Sequence, residues 1–154
     1  RGVGMDKGAA LMENRNWIKL EFPSDSRNVG FARTAVALFA SQLDWTLDEL
    51  EDIKVAVSEA VSNCVIHAYR LEEGLVKLEV SHDGSSLEIL VEDSGVGIPD
   101  IELARETGYT SVPEERMGLG FTFMHEYMDE VQVYSEVDKG TRVRMVKKVP
   151  ERED

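Results

Sequence analysis

Between Val55 and Arg70 the chain reads VAVSEAVSNCVIHAYR, and Glu59, Asn63 and His67 follow one another at four-residue intervals among small apolar residues. Residues four apart share one face of an α-helix. A helix that packs through that face would carry apolar side chains on it, so a carboxylate, an amide and an imidazole in line must meet something else. The amide oxygen of Asn63 is a hard, neutral ligand suited to Mg²⁺, which takes few protein ligands and completes its shell with water and phosphate. A carboxylate one turn earlier, Glu59, can accept the proton of an incoming hydroxyl. His67 suits a capping or packing position at least as well as a catalytic one.

Two other stretches carry potential chemistry. EDSGVGIPD follows a strand-like segment and places Asp93 at its end, with Gly95 and Gly97 next. GLGF, containing Gly118 and Gly120, is expected to open a helix, where free N–H groups and the helix dipole favour a phosphate. Singly, an Asp-Ser-Gly turn or a pair of glycines answers a backbone need. The three pieces in this order, on these elements, ask for a common explanation.

The elements that must position them can be read from periodicity. Trp17 to Phe22 (WIKLEF) alternates as a strand. A helix is expected after Ser24 to Ser26, which supply the cap, with Phe31, Ala35, Leu38 and Phe39 at helical spacing. Thr46 and Glu49 form a T-x-x-E capping box, flanked by Trp45 and Leu50 in the positions of a hydrophobic staple. A second helix therefore starts at Leu47, carries Leu50, Ile53, Val57, Val61 and Cys64 as its apolar stripe, and ends between Tyr69 and Gly74. Val76, Leu78 and Val80, then Leu87, Ile89 and Val91, make a hairpin around HDGSS. A polar loop runs from Ile98 to Met117, a helix opens at GLGF, and a second hairpin turns at Lys139-Gly140 with Val143 and Met145 opposite Arg142 and Arg144. Strand, helix, helix, hairpin, loop, helix, hairpin is the order of an α+β two-layer sandwich, a mostly antiparallel mixed sheet with helices on one face.

A chain of 154 residues suits one domain, here 15–149, with 1–14 read as a disordered leader or tag and 150–154 as a polar tail. The net charge of −13 opposes direct binding to nucleic acid. No apolar run approaches a membrane span and no secretory signal is visible, so a cytoplasmic location is expected. The single cysteine, Cys64, reads as a buried thiol.

SEAVSNCVIHAY, DSGVGIPDIELAR and GLGF resemble the N, G1 and G2 boxes of the GHKL (Bergerat) ATP-binding superfamily, to which the histidine kinases belong. From Trp17 to Lys148 the sequence is most similar to the sporulation anti-sigma-F family, small anti-sigma factors that are also serine kinases. This resemblance implies a homodimer that binds a sigma factor and, using ATP and Mg²⁺, phosphorylates a serine of a STAS-domain anti-anti-sigma protein. It implies Glu59 as general base, Asn63 as Mg²⁺ ligand and Asp93 as acceptor of the adenine amino group. Gly95, Gly97 and Thr141 would shape the adenine pocket, and Gly118 and Gly120 would meet the phosphates. Arg105 and Arg116 would contact phosphate from a lid spanning Asp100 to Met117, and Arg33 in the first helix would dock partners.

Ala68 stands where this family often has Gly, the lid reads one residue short, and Val112 stands where a lysine is common. His82 and His125 are expected at the surface. Three alternatives remain open: a general-stress-type anti-sigma kinase, a nucleotide-gated binding module without kinase activity, and a detached histidine-kinase catalytic domain. Glu59 argues against the last two.

Overall fold

The computed structural model describes residues 15–68, 74–95 and 112–152, excepting the side chains of 67–68 and 112–118. The expectations for residues 1–14, Gly97, Arg105 and the side chains of His67, Val112 and Arg116 lie outside what is described. In chain order the elements are β1 (Asn16–Pro23), α1 (Arg27–Ala40), α2 (Leu47–Asn63) continued by a π turn (Cys64–Ala68), β2 (Leu75–His82), β3 (Ser86–Asp93), α3 (Val112–Tyr127), β4 (Glu130–Glu136) and β5 (Gly140–Lys148). The strands form one sheet in the order β1-β2-β3-β5-β4. Among the described residues each pairing is antiparallel. β1 and β4 are its edges.

Alternation in the strands decides which face the helices cover. Val76, Leu78 and Val80 of β2, Leu87, Ile89 and Val91 of β3, and Val143 and Met145 of β5 are buried together. The opposite face carries Glu21–Lys77, Glu92–Arg142 and Glu88–Arg144 ion pairs, each across neighbouring strands. Helix α2 lies between α1 and α3 and sits over β3.

The capping box is formed: the Thr46 hydroxyl accepts from the Glu49 backbone N–H and the Glu49 carboxylate accepts from the Thr46 N–H. That backbone bond, with help from Arg152, holds the Glu49 carboxyl below its ordinary range despite some desolvation. Arg152 thus ties the polar tail to the start of α2. At the start of α1 the N-cap residue is Ser26, which makes no side-chain capping bond, while the Asp25 carboxylate accepts from the backbone N–H and guanidinium of Arg27. These bonds lower the Asp25 carboxyl to about 2.

Two expectations are corrected. In α1 the buried side chains are Ala32, Val36, Ala37, Phe39 and Ala40, whereas Phe31 and Leu38 are 59% and 69% exposed. Small residues let α1 approach its neighbours closely, so the core face is the alanine face and two large apolar side chains point to solvent. In α3 the helix begins at Val112, so Gly118 and Gly120 fall inside it rather than at its start. The sequence VPEER explains this, since Pro and glutamates are favoured in a first turn. Interior glycines cost about 1 kcal/mol each.

Gly140 begins β5 with φ of +120°, and a Cβ there would lie 2.1 Å from the Asp93 carbonyl oxygen. Neither the conformation nor the space admits a side chain. Gly140→Ala should lower unfolding free energy by about 2–4 kcal/mol, read as a lower urea midpoint at unchanged slope.

Candidate active site

The α-helical spacing holds from Glu59 to Asn63, so both side chains project from one face of α2. Beyond Asn63 the backbone widens into the π turn. Helix α3 lies directly against the pair. A Cβ built on Gly120 would stand 3.0 Å from Glu59 Oε2 and 3.6 Å from Asn63 Oδ1, so a side chain there would push the Glu59 carboxylate aside by a few tenths of an ångström. The structure therefore brings Glu59, Asn63 and Gly120 together. Within α3 the N–H groups of Gly118 and Gly120 lie in the helical interior, not free at a helix start, and phosphate contact there requires the first turns to open.

Asn63 supplies a second clue. Its Nδ2 is buried and, among the described residues, has no hydrogen-bond partner. Leaving such a donor unsatisfied costs about 1–3 kcal/mol, a penalty that a purely structural residue has no reason to keep. The neighbouring oxygens, an amide carbonyl and a carboxylate, are the hard ligands that fit Mg²⁺ rather than a softer metal. Among the described residues no three His, Cys, Asp or Glu side chains converge on a metal geometry.

Asp93 ends β3, paired in register with Thr141. Its Oδ1 accepts the Gly95 N–H at 3.0 Å and its Oδ2 lies 3.5 Å from Cys64 Sγ. The Thr141 hydroxyl is 2.9 Å from the Ser135 hydroxyl, which also donates to the Gly140 carbonyl. Asp93, Gly95 and Thr141 thus form a second corner, and Cys64, adjacent in sequence to Asn63, joins it to the first. Sequence reasoning missed Gly140 and Cys64 as parts of this corner. For Gly140 the signal was there, a glycine directly before Thr141 at a strand start.

Arg33 is exposed on α1, with its guanidinium donating to the hydroxyl of Ser58, the residue before Glu59, at 3.2 Å. His125 is exposed, as expected. His82 is half-buried instead, tilted against Phe39, with Nδ1 accepting the Gly84 N–H and Nε2 beside Gln42 Oε1.

Burial raises the Asp93 carboxyl above its ordinary 3.8, against the lowering effect of bonds from Gly95, Cys64 and Thr141. The folded chain then holds a proton on Asp93 more tightly than the unfolded chain does. Between 3.8 and that raised value the contribution of Asp93 to stability falls as pH rises. Asp93→Asn removes the buried charge, so without nucleotide its melting temperature should exceed the parent's at neutral pH. The gap should close as the pH approaches about 4.

A family model described as histidine kinase-like ATPase domain matches residues 22–147. An anti-sigma F factor from Clostridium kluyveri is 56% identical over 133 residues, covering 86% of this chain and 94% of the relative. Another from Clostridium perfringens is 52% identical over 136 residues, covering 87% and 97%. One from a Thermoanaerobacter species is 50% identical over 137 residues, covering 88% and 96%. Among solved structures, a blue-light activated histidine kinase from Erythrobacter litoralis superposes with a TM-score of 0.52 at 22% identity, over 80% of this chain and 41% of that one, a likeness of fold. The antiparallel sheet under three described helices, the Glu59–Asn63 face and these relatives agree: the chain belongs to the histidine kinase-like ATPase family and, within it, to the anti-sigma F factors.

Proposed function

We propose that this chain sequesters a sporulation-type sigma factor and, as an ATP-dependent serine kinase, phosphorylates a STAS-domain anti-anti-sigma protein in the cytoplasm. The observation that carries the kinase reading is the presence of Glu59 one turn from Asn63 on a single helical face, with the α3 backbone against both. In this reading Asp93 and Gly95, with Gly97 and Thr141, bind the adenine of ATP or ADP. An adenine amino group can donate to the Asp93 carboxylate; guanine presents a carbonyl there and cannot. Asn63 holds Mg²⁺, which supplies charge neutralisation on the phosphates. Glu59 takes the proton of the attacking serine as the phosphoryl group transfers. Gly118, Gly120, Arg105 and Arg116 approach the phosphates, the two glycines once the first turns of α3 open.

Partner binding draws support from α1. Phe31 and Leu38, seven residues apart on one face of α1, are both exposed, and large apolar side chains exposed together mark contact surfaces. The chain's similarity to anti-sigma F factors makes a sigma factor the partner to expect. A homodimer is supported by the edge position of β1, where Trp17 is half exposed. Net charge of −13 disfavours a nucleic-acid surface. Among the described residues no helix is long and apolar enough to cross a membrane.

Purified protein, Mg²⁺ and radiolabelled ATP, incubated with STAS-domain proteins from the same genome, test the kinase reading. Label should reach a serine of one of them. Glu59→Ala should slow transfer about 10²–10⁴-fold while binding ADP within about twofold of the parent. Tight ATP binding with no transfer to any STAS protein would instead leave a nucleotide-gated binding module.

A further inference from the structure

Cys64 does more than fill the core. It is the first residue of the π turn, directly after Asn63, and its Sγ faces Asp93 Oδ2 at 3.5 Å and the Ala60 carbonyl at 3.5 Å. One S–H proton cannot serve both acceptors fully. The Ala60 bond is the back-bond to residue i−4 that hydroxyl and thiol side chains make inside helices. The Asp93 bond ends on a carboxylate in a half-buried setting, where a charged acceptor makes the stronger bond. The other carboxylate oxygen is already held by the Gly95 N–H.

We infer that Cys64 is a positioning residue for adenine recognition, its S–H donating to Asp93 Oδ2 so that the carboxylate plane is fixed before the nucleotide arrives. The inference rests on the reading of Asp93 as the adenine contact. A carboxylate has about four acceptor sites, so two fixed donors leave room for the adenine amino group. A group held in place before binding does not lose rotational freedom on binding. Thiol chemistry suits the place. Cys64 is 3% exposed and belongs to the apolar cluster between α2 and β3, where a hydroxyl would be costlier to bury than a thiol.

The test compares ADP with inosine diphosphate, which lacks the amino group that Asp93 would accept. Cys64→Ala should weaken ADP binding about threefold to tenfold and inosine diphosphate binding less than about twofold. Cys64→Ser, which restores a donor, should bring ADP affinity back to within about twofold of the parent. A role in packing alone would weaken both nucleotides alike, and that result would overturn the inference.

The infrared S–H stretch gives an independent readout on otherwise unaltered protein, since Cys64 is the one cysteine of the chain. The band should sit at the lower frequency of a bonded thiol, move on adding ADP, and rise in Asp93→Asn. A band indifferent to both would also overturn the inference, even if the Cys64 variants fail to fold. If Asp93→Asn leaves ADP affinity unchanged, the adenine assignment itself fails. If Asp93→Asn weakens ADP while Cys64→Ala does not, only the thiol's part fails.

Discussion

The seating of α2 on the sheet is the constraint on which the rest depends. Ile53, Ala56, Val57, Ala60, Val61 and Cys64 are buried and pack the helix onto β3 and between α1 and α3. Fixing one face of a helix fixes the direction of all its side chains, because each residue turns the chain by a set angle. Glu59 and Asn63 are therefore aimed by the apolar stripe that seats the helix. The buried Asn63 Nδ2, without a hydrogen-bond partner among the described residues, is a cost that this packing must offset. The apolar stripe supplies the stability that tolerates the arrangement.

At the other corner the controlling feature is backbone proximity. β5 starts so close to the end of β3 that no side chain fits at Gly140, which sets Thr141 opposite Asp93. Asp93 is held at a partly desolvated strand end, bonded through both oxygens and still less readily ionised than in water. A site that binds a polar group must carry such unfavourable terms when empty, since the groups that await the ligand cannot all be satisfied by the protein. Cys64 softens that conflict while keeping its apolar contacts.

Local signals carried much of the fold. The capping box at Thr46–Glu49, the alternation of β2, β3 and β5, and the Asp83 turn, where one carboxylate accepts from the Ser85 and Ser86 N–H groups while Gly84 takes positive φ, are decided within a few residues. Helix spacing placed Glu59 and Asn63 on one face for the same reason. Where reading failed, the deciding contacts were distant or the local rules pulled against each other. Both faces of α1 contain apolar residues, so Phe31 and Leu38 could not be told from Val36 and Phe39 by period. The GLGF glycines signal a helix boundary, yet the Pro and glutamates before them favour starting earlier, and Gly120 comes to lie against α2.

The sequence by itself determined the elements, the family, and the face on which Glu59 and Asn63 stand, because caps, turns and helical periods act over four residues or fewer. Tertiary structure alone decided three things. Cys64 meets Asp93 across 29 positions of chain, Gly140 abuts the Asp93 backbone, and Gly120 closes on the Glu59–Asn63 pair. Each depends on how two elements approach in space, and no local rule sets that distance. It follows from the packing of all the layers at once.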